Sequence, residues 1–106
     1  MFKGKPSISR EVLVDIINYI NKENQITQER IDIKLERKKI FREDLGMYNE
    51  ILDSLKHLPS EMQEILKRVT VDMRKQDLEY LDGEIEHLVI DIENRDKIKK
   101  ILKDFV

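Results

Sequence analysis

The sequence predicts an all-α fold: a small helical bundle built on an antiparallel helical hairpin with coiled-coil-like seams. Three observations predict it. Phe41, Leu45, Tyr48, Leu52 and Leu55 alternate steps of four and three, as do Leu78, Leu81, Ile85, Leu88 and Ile92, which is the spacing of a heptad seam. Leu58-Pro59-Ser60 stands between the two, and a residue before proline avoids the α region. Glycine and proline are otherwise sparse, with three and two in the whole chain, which suits long helices joined by few loops.

The elements follow in order. Residues 1–6 read as a flexible arm ahead of a single helical domain, 7–106. Ser7 or Ser9 can cap a first helix, since a serine oxygen accepts from an unpaired first-turn N–H. Leu13, Ile16, Ile17 and Ile20 share one face of it, and polar residues Asn21 to Gln25 are expected to end it. Thr27 can cap a second helix, with Ile26 and Ile31 as a hydrophobic staple. Ile31, Ile33 and Leu35 alternate like a strand before the helical seam begins at Phe41. Gly46 falls within that seam.

After Pro59, Ser60 and Gln63 form an S-x-x-Q capping box. Met62, Ile65, Leu66, Val69 and Met73 are expected on one face of the helix it opens, and Asp96 to cap a last short helix. The expected arrangement packs the N-terminal helix across the hairpin. A rival reading makes residues 69–93 a β-hairpin turning at Asp82-Gly83, which would give an α+β domain.

Composition narrows the function. A chain of 106 residues is one domain, and 40% apolar residues suffice for a core. Aromatics are only 6%, too few for platforms that stack bases or sugars, and a net charge of −2 exerts no general pull on nucleic acid. The absence of cysteine excludes thiolate metal sites, cysteine nucleophiles and disulfides. No apolar run approaches a membrane span, and the start lacks a signal-peptide core, so a cytoplasmic location is expected. No glycine-rich phosphate loop or catalytic triad is visible, so neither enzymatic activity nor a cofactor is expected.

Three candidate sites emerge. Glu84 and His87 form Glu-x-x-His, half of the ligand set of a ferritin-like two-metal bundle that a dimer could complete, yet His57 lacks a matching carboxylate. Residues 30–42 carry Arg30, Lys34, Arg37, Lys38, Lys39 and Arg42, a basic segment that could serve a helix-turn-helix regulator of DNA or RNA. The third candidate is apolar. The Phe41–Leu55 and Leu78–Ile92 seams could bury a protein partner or a second copy, with the acidic block 76–94 and its basic flanks choosing it. Val12, Val14, Val89 and Ile90 lie off the main stripes and point the same way. The favoured expectation is therefore a non-enzymatic interaction module: an oligomeric adaptor, regulator or inhibitor.

Overall fold

The computed structural model describes residues 8–106, all helix and short connection, with no strand among them. Helix α1 runs unbroken over Arg10–Ser54, helix α2 over Ser60–Lys67, and helix α3 over Met73–Lys103. A π-helical segment, Arg68–Asp72, joins α2 to α3 without a break, so the chain is a two-armed antiparallel hairpin. It is 80 × 24 × 14 Å, two helices wide and one thick. Its radius of gyration is 23.6 Å, against about 13 Å for a compact domain of this length. The β-hairpin alternative over 69–93 is thereby excluded.

Local chemistry explains the ends. The Ser9 oxygen accepts from the Val12 N–H at 3.2 Å, as its capping role requires. The arm expected over residues 1–6 and the alternative cap Ser7 lie outside the described residues. At the tip, Gln63 does not complete a capping box with Ser60. Its Nε2 instead donates to the Lys56 and Leu58 carbonyls at 2.8 and 2.6 Å, tying down the connection, and Pro59 occupies the cap position without a side-chain bond.

The largest correction lies in the first arm. No turn occurs at Asn21 to Gln25, Thr27 caps nothing, and Asp96 opens no separate helix. Asn24 and Thr27 are seam residues. In α1, positions 13, 17, 20, 24, 27, 31, 34, 38, 41, 45, 48, 52 and 55 are all buried or half-buried, and they alternate steps of four and three throughout. Asn24, Thr27, Lys34 and Lys38 occupy a/d positions that normally hold aliphatics. Each has a partner across the hairpin, although the buried Asn24 Oδ1 accepts no hydrogen bond. Thr27, only 3% exposed, donates to the Glu23 carbonyl at 2.9 Å and accepts from Arg95 Nη1 at 2.7 Å. Asn24 donates to Asp96 at 2.9 Å, and Lys99 donates to the Asn21 oxygen at 2.9 Å. Because no N-terminal helix separates, nothing among the described residues packs across the hairpin.

The second arm contains a phase slip. Gln63, Leu66 and Thr70 face α1, then Val71, Arg74, Leu78 and Leu81 do. A regular heptad continuing from 63, 66 and 70 would next use 73 and 77, one residue early. The wider π turn absorbs the extra residue and returns the seam to phase. The slip also corrects the expected face of α2: Leu66 turns inward, whereas Met62, Ile65, Val69 and Met73 are exposed.

Gly46 and Gly83 both sit inside helices, and a Cβ at either position meets nothing within 4 Å. Gly83→Ala is therefore expected to stabilise the hairpin by about 1 kcal/mol through helix propensity and reduced unfolded-state entropy. Urea denaturation of the single variant measures it, and an unchanged or lower midpoint would contradict the open surroundings of Gly83.

Candidate interaction surface

Both heptad seams predicted to receive a partner face the opposite arm of the hairpin, at successive heights: the Lys34–Glu84 pair marks the level of the second and the Arg74–Asp44 pair that of the first. Phe41, Leu45, Tyr48, Leu52 and Leu55 are half-buried on α1; Leu78, Ile85, Leu88 and Ile92 are half-buried on α3, and Leu81 is buried. They form the seam along which α1 packs on α3, so their burial is used within the chain.

The charge blocks also meet within the chain. Lys34 Nζ lies 2.8 Å from Glu84 Oε2, and Lys38 pairs with Asp82. Arg74 lies 3.3 Å from Asp44, 3.0 Å from Asp77 and 4.3 Å from the centre of the Phe41 ring. A hydrogen bond to Tyr48 chiefly raises the Arg74 pKa further, with Asp44 and Asp77 adding to it against the cost of burial. A raised pKa in the folded state adds stability at every pH below the unfolded value and loses it only far into the alkaline range. The raised Arg74 pKa therefore confers no pH dependence near neutrality. The acidic block that was expected to select a partner sets the register of the hairpin itself.

The other candidate residues are dispersed. Of the basic segment, Lys34 and Lys38 face α3 and are paired, Arg30 and Arg37 lie on one flank of α1, and Lys39 and Arg42 lie on the others. The continuous helix also removes the turn of a helix-turn-helix. Glu84 is engaged by Lys34, while the His87 side chain is 78% exposed with its Nε2 4.0 Å from Asp91. Among the described residues no group of three or more His, Cys, Asp or Glu side chains converges as a metal site, and no helix is long and apolar enough to cross a membrane.

What the structure does assemble is a face absent from the sequence-level reading. Val12, Tyr19, Ile26, Ile33, Ile40 and Met47 recur every seven residues along α1, at the c positions of its heptads, all exposed. Ile16 and Ile51 extend this stripe through the neighbouring g positions. On the second arm, Met62, Ile65, Val69, Met73 and Tyr80 continue an equivalent stripe, and Ile98, Ile101 and Phe105 resume it beyond His87. The two stripes share one broad side of the hairpin. A groove between the arms there is lined by Arg30, Ile33, Lys34 and Arg37 of α1 and by Glu84, His87 and Leu88 of α3.

The asymmetry between the two sides decides what this face is. Sixteen of the twenty-two exposed large hydrophobics among the described residues occupy these c and g positions. The b and f positions of α1 from Glu11 to Asp53 hold no apolar side chain larger than glycine. Scattered exposed aliphatics need no explanation, but a one-sided apolar stripe running the length of a helix does. Of the residues singled out earlier, Val12 belongs to this face, whereas Val14, Val89 and Ile90 lie away from it. The seven-residue recurrence was present in the sequence. A helix stop at residues 21–27 hides it, because that interrupts the count between Tyr19 and Ile26.

No family model, curated protein or solved structure matches the chain.

Proposed function

We propose that the protein is a protein-interaction module, an adaptor, regulator or inhibitor that works by burying one broad helical face on a protein surface. The observation that carries this reading is the one-sided apolar face of a hairpin only one helix thick. Among the described residues only Leu13, Ile20, Ile31, Val71 and Leu81, with Thr27, are buried. So small a core gives little hydrophobic stabilisation for a chain of this length, and covering the c/g face supplies what the seam alone does not. The two stripes offer i, i+3, i+4, i+7 anchors of the kind an amphipathic helix lays into a complementary groove.

The test is substitution on that face. Ile33→Glu combined with Ile40→Glu is expected to weaken association about 100-fold or more, because central apolar anchors dominate interfaces. Leu35→Glu, on the polar side, should leave association unchanged. Far-UV circular dichroism checks that helicity persists, and sedimentation or capture from extract reads association. A wild-type chain that stays monomeric and whose captured proteins are unaffected by the double substitution would overturn the proposal.

A further inference from the structure

The occupant of this face can be inferred from its charges. We propose that it is a second copy of the chain, stacked face to face with its two-fold axis along the hairpin, so that α1 of each copy lies antiparallel on α3 of the other. The result is a four-helix bundle. This proposal rests on the reading of the c/g face as the interaction surface and adds the identity and orientation of what covers it.

Register within the chain fixes the levels. Lys34 with Glu84, Lys38 with Asp82 and Asn24 with Asp96 show that residues whose numbers sum to about 120 stand at the same height. A two-fold axis along the hairpin preserves height and exchanges the arms. Across such an interface Ile40 of one copy meets Tyr80 of the second, Met47 meets Met73, and Tyr19 meets Ile101. The g positions supply charge complementarity: Arg37 stands level with Glu84 and Arg30 with Asp91, basic on α1 against acidic on α3. The alternative two-fold, across the hairpin, stacks α1 on α1 and α3 on α3. It would set Arg30 against Arg37 of the second copy and Glu84 against its Asp91, a like-charge arrangement that interfaces avoid.

Size supports the same occupant. A face 80 Å long and 24 Å wide is ample for the about 800 Å² per partner that a stable dimer buries. A hairpin one helix thick becomes, on pairing, a two-layered domain with a single continuous core.

Because the chain has no cysteine, introduced thiols report the geometry without background. An equimolar mixture of Ile40→Cys and Tyr80→Cys chains is expected to form a disulfide-linked heterodimer under mild oxidation, and sedimentation equilibrium of the wild type to give twice the chain mass. Cross-linking of Ile26→Cys with Ile40→Cys in place of that pair would place α1 on α1 and overturn the orientation. A wild-type monomer at about 100 µM, a concentration that populates even weak dimers, would overturn the second copy as occupant. Should that monomer still bind a different protein in a manner abolished by Ile33→Glu with Ile40→Glu, the interaction face stands and only its occupant is wrong. Should both measurements fail, the face itself is not an interface.

Discussion

Deleting Thr70 leaves the hairpin folded with its thermal midpoint unchanged or raised, whereas deleting Glu79 abolishes cooperative folding. Both remove one residue from the same arm, and sequence context alone does not separate them. The difference is phase. Thr70 lies inside the π segment, where one residue more than a regular heptad is accommodated. Without it, Gln63, Leu66, Val71, Arg74 and Leu78 fall into steps of three, four, three and four, and an ordinary α-helix keeps them all facing α1. Val69 and Met73 also stay on the c/g face. Glu79 lies in regular α-helix, where removing a residue rotates everything beyond by about 100°. Leu81, Ile85, Leu88 and Ile92 would then leave the seam together. At roughly 1.5–3 kcal/mol per aliphatic side chain, about 6–12 kcal/mol for the four, that is comparable with the whole of the about 5–15 kcal/mol available to a domain of this size. Thermal melts followed at 222 nm by circular dichroism check both variants. A cooperative transition in the Glu79 deletion, or collapse of the Thr70 deletion, would contradict the phase-slip account.

The second large effect is expected at Leu81. It is 3% exposed, in the seam midway along α3, and truncation to Ala opens a space that two rigid helices close poorly. The expected loss is about 2–4 kcal/mol, or roughly 10–25 °C in thermal midpoint. Leu35→Ala is the matched control. Leu35 lies at 47% exposure on the flank of α1 opposite the apolar face, and its truncation should change stability by no more than about 0.5 kcal/mol. Urea titration of both variants at equal concentration separates them. Equal losses would mean that the seam is not where the stability of the hairpin resides.

The charge pattern shows how differently one feature reads at the two levels. In the sequence, seven acidic residues between 76 and 94 beside basic flanks suggested recognition of another chain. In the fold, Glu84 and Asp82 meet Lys34 and Lys38, which are themselves members of the supposed nucleic-acid segment. Two unrelated candidate sites thus resolve into one set of cross-helix pairs. Polar and charged residues at a/d positions contribute less stability than aliphatics there. They do specify register, since sliding one arm by a heptad would set Thr27 level with Leu88 or Leu102 in place of Arg95, and Lys38 level with Lys75 or Val89 in place of Asp82.

The interaction face shows the reverse. Its recurrence every seven residues is a sequence property, yet it becomes legible only once α1 is continuous. Asn21 to Gln25 look like a helix stop because local rules score polar clusters as turns. Asp96 and Arg95, about seventy residues away, supply the partners of Asn24 and Thr27 in the seam, and Lys99 binds the exposed Asn21 beside them.

The sequence by itself determined that this chain is helical, that it reverses near Pro59, and that the Phe41–Leu55 and Leu78–Ile92 stripes are buried sides. Those features follow from local periodicity and from the backbone restriction before proline. Only the tertiary structure decided that α1 runs through residues 21–27, that the π turn restores phase, and that each seam is buried against the opposite arm while the c/g stripes stay outward. The physical reason is that a polar side chain in a helix is neutral evidence until its hydrogen-bonding partner is known. Here Asn24, Thr27, Lys34 and Lys38 each find a partner on the opposite arm.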